Sequence, residues 1–144
     1  MLAQVPHAAY GEAVHAALAA AEVAPDGTSI TTELTATGSR NLLITCTWLK
    51  GDPALGAGEW HRGMRIVWRH AHGWFLEDPT TLLSRSVPVP LLAAPEAVAD
   101  VAAEAGTHGM YDDLDRPVDL PGSDEQWDQA RALDKALADW EDLP

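Results

Sequence analysis

A chain of 144 residues, 47 % apolar and 22 % charged, has the length and composition of one ordinary folded domain, able to remove roughly two thirds of its unfolded surface from water. No apolar run approaches the ~20 residues of a membrane span, and the opening MLAQVPHAAYGEAVHAALAA, with Glu12 and His15 among its alanines and no basic start, does not read as a signal peptide. A formal net charge of −13 disfavours nucleic acid and anionic membranes as direct partners.

That charge is unevenly placed. Residues 1–95 hold six basic and eight acidic groups, whereas residues 96–144 hold three basic and fourteen acidic ones. The last third therefore carries the field, which attracts basic partners at long range or keeps the surface solvated. Cys46 is the single cysteine, so no internal disulfide forms, and a reducing cytoplasm is the expected location.

In chain order, Pro6 suits a first helical turn, and Tyr10, Val14, Leu18 and Ala21 recur on one helical face. APDG, 24–27, ends that helix. SITTELTA, 29–36, then alternates as a strand, with Ile30, Thr32, Leu34 and Ala36 on one face. LLITCTWL, 42–49, sets Leu42, Ile44, Cys46 and Trp48 on one face and the semi-polar Leu43, Thr45, Thr47 and Leu49 on the other. Residues 50–60 form a glycine- and proline-rich loop.

MRIVWRH and WFLED read as a hairpin. A two-residue turn at His72 and Gly73 sets apolar beside charged on both faces. A three-residue loop of Ala71, His72 and left-handed Gly73 pairs His70 with Trp74 and Trp68 with Leu76. It collects Ile66, Trp68, Trp74 and Leu76 on one face, and Arg65, Val67, Arg69, Phe75 and Glu77 on the other. Because a one-residue slip exchanges the faces, this sorting favours the three-residue loop.

Residues 79–95 read as an irregular proline-spaced crossing. Pro95 opens a second helix, PEAVADVAAEAG, which Gly106 ends. Residues 107–122 are acidic and turn-rich, a loop or linker. Ser123 and Gln126 form a capping box for a closing helix over 123–141, with Trp127, Ala130, Leu133, Leu137 and Trp140 in one stripe. The expected fold is α+β: an N-terminal helix, a four-stranded antiparallel sheet and two C-terminal helices on the sheet. Its boundaries are a domain over 1–106, the acidic loop over 107–122 and the amphipathic helix over 123–144.

Three chemistries are weighed on this frame. His61, His70 and His72, with Glu77 or Asp78, are metal-ligand candidates, but the hairpin register makes the histidines diverge. Arg62, Arg65 and Arg69 interleave with Trp60, Trp68 and Trp74 like a stacking platform, yet the register turns the aromatics inward and leaves a basic outer face. Cys46, or Ser84 and Ser86 near Asp78, could supply a nucleophile. Cys46, however, shares its face with Leu42, Ile44 and Trp48, where a thiol is ordinarily buried and inert. The sequence holds no phosphate-binding glycine loop and no G-x-S-x-G. No catalytic residue, metal or cofactor is expected.

Arginine exceeds lysine seven to two, as in a GC-rich genome. RIVWRHAHGWFLED after an alanine-rich helix resembles small actinobacterial, Streptomyces-type proteins. The resemblance covers the first helix and the hairpin, and implies a source but no activity.

The expectation is therefore a cytoplasmic, non-enzymatic accessory, regulatory or chaperone-like subunit that binds a protein or itself. The residues placed at its interface are Trp127, Leu133, Leu137 and Trp140, framed by Asp128 and Asp134. The same stripe is simply core if the closing helix packs on the sheet. The alternative is a small-molecule or metal-binding domain, enzymatic or not, with a pocket between the sheet and the 79–95 crossing.

Overall fold

The computed structural model describes residues 5–34, 36–38, 40–56, 60–111 and 116–141. Helix α1 (Ala8–Ala20) leads into a five-stranded antiparallel meander, and helices α2 (Pro95–His108) and α3 (Ala130–Glu141) follow. The strands are β1 (Gly27–Leu34), β2 (Arg40–Trp48), β3 (Met64–Arg69), β4 (Gly73–Asp78) and β5 (Leu83–Ser86), and they lie side by side in chain order. The architecture is α+β, with one strand more than the sequence pattern gives.

Alternation decides which face of the sheet is core. Leu42, Ile44, Cys46 and Trp48 on β2, Met64, Ile66 and Trp68 on β3, and Trp74 and Leu76 on β4 are all buried. They form one cluster with Tyr10, Val14 and Leu18 of α1, Val98, Val101, Ala102 and Ala105 of α2, and Ala130, Leu133 and Leu137 of α3. Each buried indole N–H must find an acceptor, and each ties its part of the core to a different segment. Trp48 donates to Val23 O at 2.9 Å, Trp60 to Ala105 O at 2.9 Å, Trp68 to Leu91 O at 2.8 Å and Trp74 to the Tyr10 hydroxyl at 3.2 Å.

Several sequence readings are corrected. The β3–β4 loop is His70, Ala71 and His72, so Arg69 faces Gly73, Trp68 faces Trp74 and Ile66 faces Leu76. The loop keeps its three residues and Gly73 its left-handed φ of 90°, and moving the loop back by one residue leaves the sorting of faces intact. Within the 79–95 crossing, Leu83–Ser86 pairs with β4 as an edge strand. β1 starts earlier than read, at Gly27, and runs to Leu34, whose side chain is 72 % exposed. Position 35, counted in that strand, lies outside the described residues.

Pro6 precedes helix α1 in a turn, with His7 as N-cap, and Ala21 falls just beyond the helix. α2 runs past Gly106 to His108, and Gly109 (φ 84°) is its C-cap. Gly106 serves close packing instead: a Cβ there would press on the Ala54 carbonyl oxygen. α3 begins at Ala130 rather than Ser123, because 125–127 pairs with another part of the chain. Ala94 N–H donates to Glu125 O at 2.9 Å, Trp127 N–H donates to Leu92 O at 2.8 Å, and Gln126 bridges Ala93. The Ser123 hydroxyl accepts the Glu125 N–H in a local turn and caps no helix.

Of the acidic loop, 112–115 lie outside the described residues, but its ends are anchored. Met110 and Leu120 are buried, Val118 N–H donates to Met110 O at 2.9 Å, and the Arg85 guanidinium donates to Met110 O and Val118 O at 3.2 and 2.9 Å.

Candidate functional site

The pairing of 125–127 with 92–94 borders a concavity against α1. It carries Trp127 over the core, with its indole 5.0 Å from the Tyr10 ring and tilted by 36°. Glu125 and Asp128 are left outside. Beside it, Ala13, Ala16, Ala17 and Ala20 make one face of α1 at helical spacing, and alanine side chains are too short to fill the gap. The result is a groove of about 600 Å³ lined by those alanines, Ala94, Pro95 and Trp127, with Glu96, Glu125 and Asp128 at its rim. Among the described residues no Lys or Arg lines it.

The last third exposes further carboxylates. Glu96, Asp100, Asp119, Asp124, Glu125, Asp128, Asp134, Asp139 and Glu141 are all exposed. Of the expected interface residues, Leu133 and Leu137 are core at 4 and 5 % exposure, and Trp127 and Trp140 pack against the core half-buried. Asp128 and Asp134 are exposed. What α3 exposes is therefore charge, while Trp127 lines the groove.

The histidines do not converge. His61 and His72 are exposed, and both ring nitrogens of buried His70 are occupied. Nδ1 accepts the Leu42 N–H at 2.9 Å, so Nε2 carries the hydrogen and faces the Glu141 carboxylate at 3.3 Å. Among the described residues no three His, Cys, Asp or Glu side chains are grouped to hold a metal ion. A second cleft, about 390 Å³, is lined by Lys50, Asp52, Leu55, Trp60 and His61 among others. Burial raises the Asp52 pKa, the Ala54 N–H opposes the shift, and the neighbouring Asp26 carboxyl adds to it. Of the 79–95 crossing, Ala94 and Pro95 border the groove beside α1, and no residue of the crossing lines the second cleft.

The nucleophile candidates are engaged in structure. Cys46 is fully buried, and desolvation pushes its thiol up to about 11 against the Thr28 hydroxyl contact. The Asp78 carboxylate accepts Thr80 N–H at 2.8 Å and the Thr81 hydroxyl at 3.2 Å, which shapes the β4–β5 turn. Ser84 and Ser86 are exposed on the edge strand. On the sheet's outer face Arg65 and Arg69 flank Glu77 at 3.8 and 3.6 Å, and Arg62 is exposed ahead of β3.

One buried polar group has no local sequence signal. His7 is fully buried, its Nε2 lies 3.0 Å from Thr31 O and 2.9 Å from Leu43 O, and its ring stacks on Trp68 at 5.9 Å. Its Nδ1 has no hydrogen-bond partner among the described residues. Serving two carbonyls, Nε2 carries the hydrogen, and the ring is neutral.

These features define an α+β domain with an acidic helical side and a tryptophan-knit core. Compared with protein-family models, curated proteins and solved structures, the chain matches none.

Proposed function

We propose that this chain is a non-enzymatic interaction protein, an accessory, regulatory or chaperone-like subunit that works in the cytoplasm through the acidic surface of its last third. One observation carries the reading: in that third the apolar side chains turn into the core while nine carboxylates stand exposed. The surface offers charge, which governs encounter rate and partner choice more than affinity. Its complement is a basic protein surface.

The test is a titration of the ¹⁵N-labelled protein with a Lys/Arg-rich peptide at two salt concentrations. Saturable binding, weakened by salt, with amide shifts confined to residues 94–141, supports the reading. Shifts scattered over every exposed acid, including Glu12, Glu22 and Glu33, or no saturation, reduce the charge to a solubility device and overturn it.

A further inference from the structure

We propose that the groove between α1 and residues 125–128 is a docking site for a cationic amphipathic helix of a partner protein. The inference rests on reading the acidic surface as an interface, and adds to it a place and a partner chemistry.

Three observations select the occupant. Ala13, Ala16, Ala17 and Ala20 stand at i, i+3, i+4 and i+7, so the floor is a straight trough along a 13-residue helix. Methyl-lined helix faces let another helix backbone approach closely, and an apolar stripe laid into such a trough is a recurrent mode of peptide recognition.

The opposite wall is a single backbone bridge. Ala94 N–H donates to Glu125 O and Trp127 N–H to Leu92 O, the two bonds that flank the Ala93–Gln126 pair. One bridge is too short to template an added strand, and side-chain packing remains.

The rim sets the charge. Glu96, Glu125 and Asp128 overlook the groove and, among the described residues, no Lys or Arg lines it, so a ligand helix gains by carrying Lys or Arg on both flanks of its apolar stripe. A second copy of this chain, at −13, meets the same rim with like charge. From Ala13 to Ala20 the trough is ~10 Å long at 1.5 Å per residue, enough for two turns of a ligand helix, so an apolar stripe of three or four side chains fills it.

The probe is a synthetic 14-residue helix with a Leu/Ala stripe flanked by lysines, titrated at ~0.15 M salt by calorimetry and by the Trp127 indole N–H resonance. Wild type is compared with Ala16→Gln, which fills the floor at an exposed position without altering charge. A rim variant carries Glu96→Gln, Glu125→Gln and Asp128→Asn; its control carries Asp100→Asn, Asp134→Asn and Asp139→Asn away from the groove. Circular dichroism and melting confirm that each variant is folded.

Ala16→Gln and the rim variant should each weaken binding about ten-fold, and the control, which thins the same acidic field outside the groove, only about two- to three-fold. Equal weakening by rim and control variants, or indifference to Ala16→Gln, removes the groove but leaves the acidic-surface reading standing. Absence of any salt-sensitive binding removes both. Equal affinity for a matched helix bearing glutamates, or self-association abolished by Ala16→Gln, assigns the groove a different occupant and overturns the proposal.

Discussion

Tyr10 and Trp74, 64 residues apart, share a hydrogen bond: the Trp74 indole N–H donates at 3.2 Å to the Tyr10 hydroxyl, which itself donates to Ala93 O at 2.6 Å. The relay is fully buried on the tyrosine side and joins α1, β4 and the segment before α2. Tyr10→Phe keeps the ring but leaves an indole N–H and a carbonyl without partners in the core. The expected loss is about 2–6 kcal/mol in urea unfolding, since each of the two orphaned buried groups costs about 1–3. Trp74→Phe combined with Tyr10→Phe should cost less than the sum, because the two share one bond. Additive losses would mean the bond contributes nothing.

In the hairpin the tryptophans and histidines separate by energy. Trp68 is fully buried against Tyr10 and His7, so Trp68→Ala should cost ~3–5 kcal/mol. His70→Ala takes the acceptor from Leu42 N–H and should cost about 1–3 kcal/mol. His72→Ala, at an exposed loop position, should stay within about 0.5 kcal/mol. A His72 effect as large as that of His70 would show a role the loop geometry does not supply. Thermal melts of the three variants measure the order.

The hairpin was legible because period-two alternation constrains the face of every residue, and its one wrong detail, the loop position, leaves the faces unchanged. The edge strand Leu83–Ser86 was not legible: four residues ending a turn, with Leu82 and Leu83 exposed, give no alternation against a core. The start of α3 was misread for a different reason. Ser123 and Gln126 have capping-box spacing, but backbone pairing of 125–127 with 92–94 outcompetes the local helix, and nothing within those residues announces a partner some thirty positions upstream. The acidic surface was readable from counts alone, whereas the groove needs α1 and 125–128 brought together. His7 escaped notice for the same reason: its acceptors, Thr31 O and Leu43 O, are supplied by the fold.

Gly106 gives a case where packing should reverse a propensity. In a helix interior Gly→Ala ordinarily gains up to about 1 kcal/mol. Here the loop over 50–56 lies on α2, Gly56 N–H donates to Gly106 O, and the added methyl would enter the Ala54 carbonyl. Gly106→Ala should therefore destabilise by about 1–3 kcal/mol. A raised melting temperature would show that the loop shifts aside at little cost.

Cys46 should be silent in the native state. Burial both shields the sulfur and raises its pKa to about 11, so at pH 7.5 almost no thiolate is available for attack. N-ethylmaleimide labelling should follow global unfolding, and adding urea should accelerate it in step with the unfolded fraction. Stoichiometric labelling within minutes in native buffer would contradict the packing of β2 against α1.

His7 should make the fold acid-sensitive. Burial holds its pKa below the ordinary 6.5, with nearby His70 acting in the same direction and the carbonyls of Leu43 and Thr31 opposing. The folded state therefore takes up this proton less readily than the unfolded chain. The stability that follows from a neutral His7 is present above pH 6.5 and lost as pH falls through the lower, folded value. His7→Gln retains a donor toward both carbonyls and cannot titrate in this range. Melting temperatures of wild type should fall between pH 7.5 and 5 more steeply than those of His7→Gln, and His72→Gln, exposed and outside the core, should track wild type. Parallel curves for wild type and His7→Gln would assign the acid sensitivity to another group.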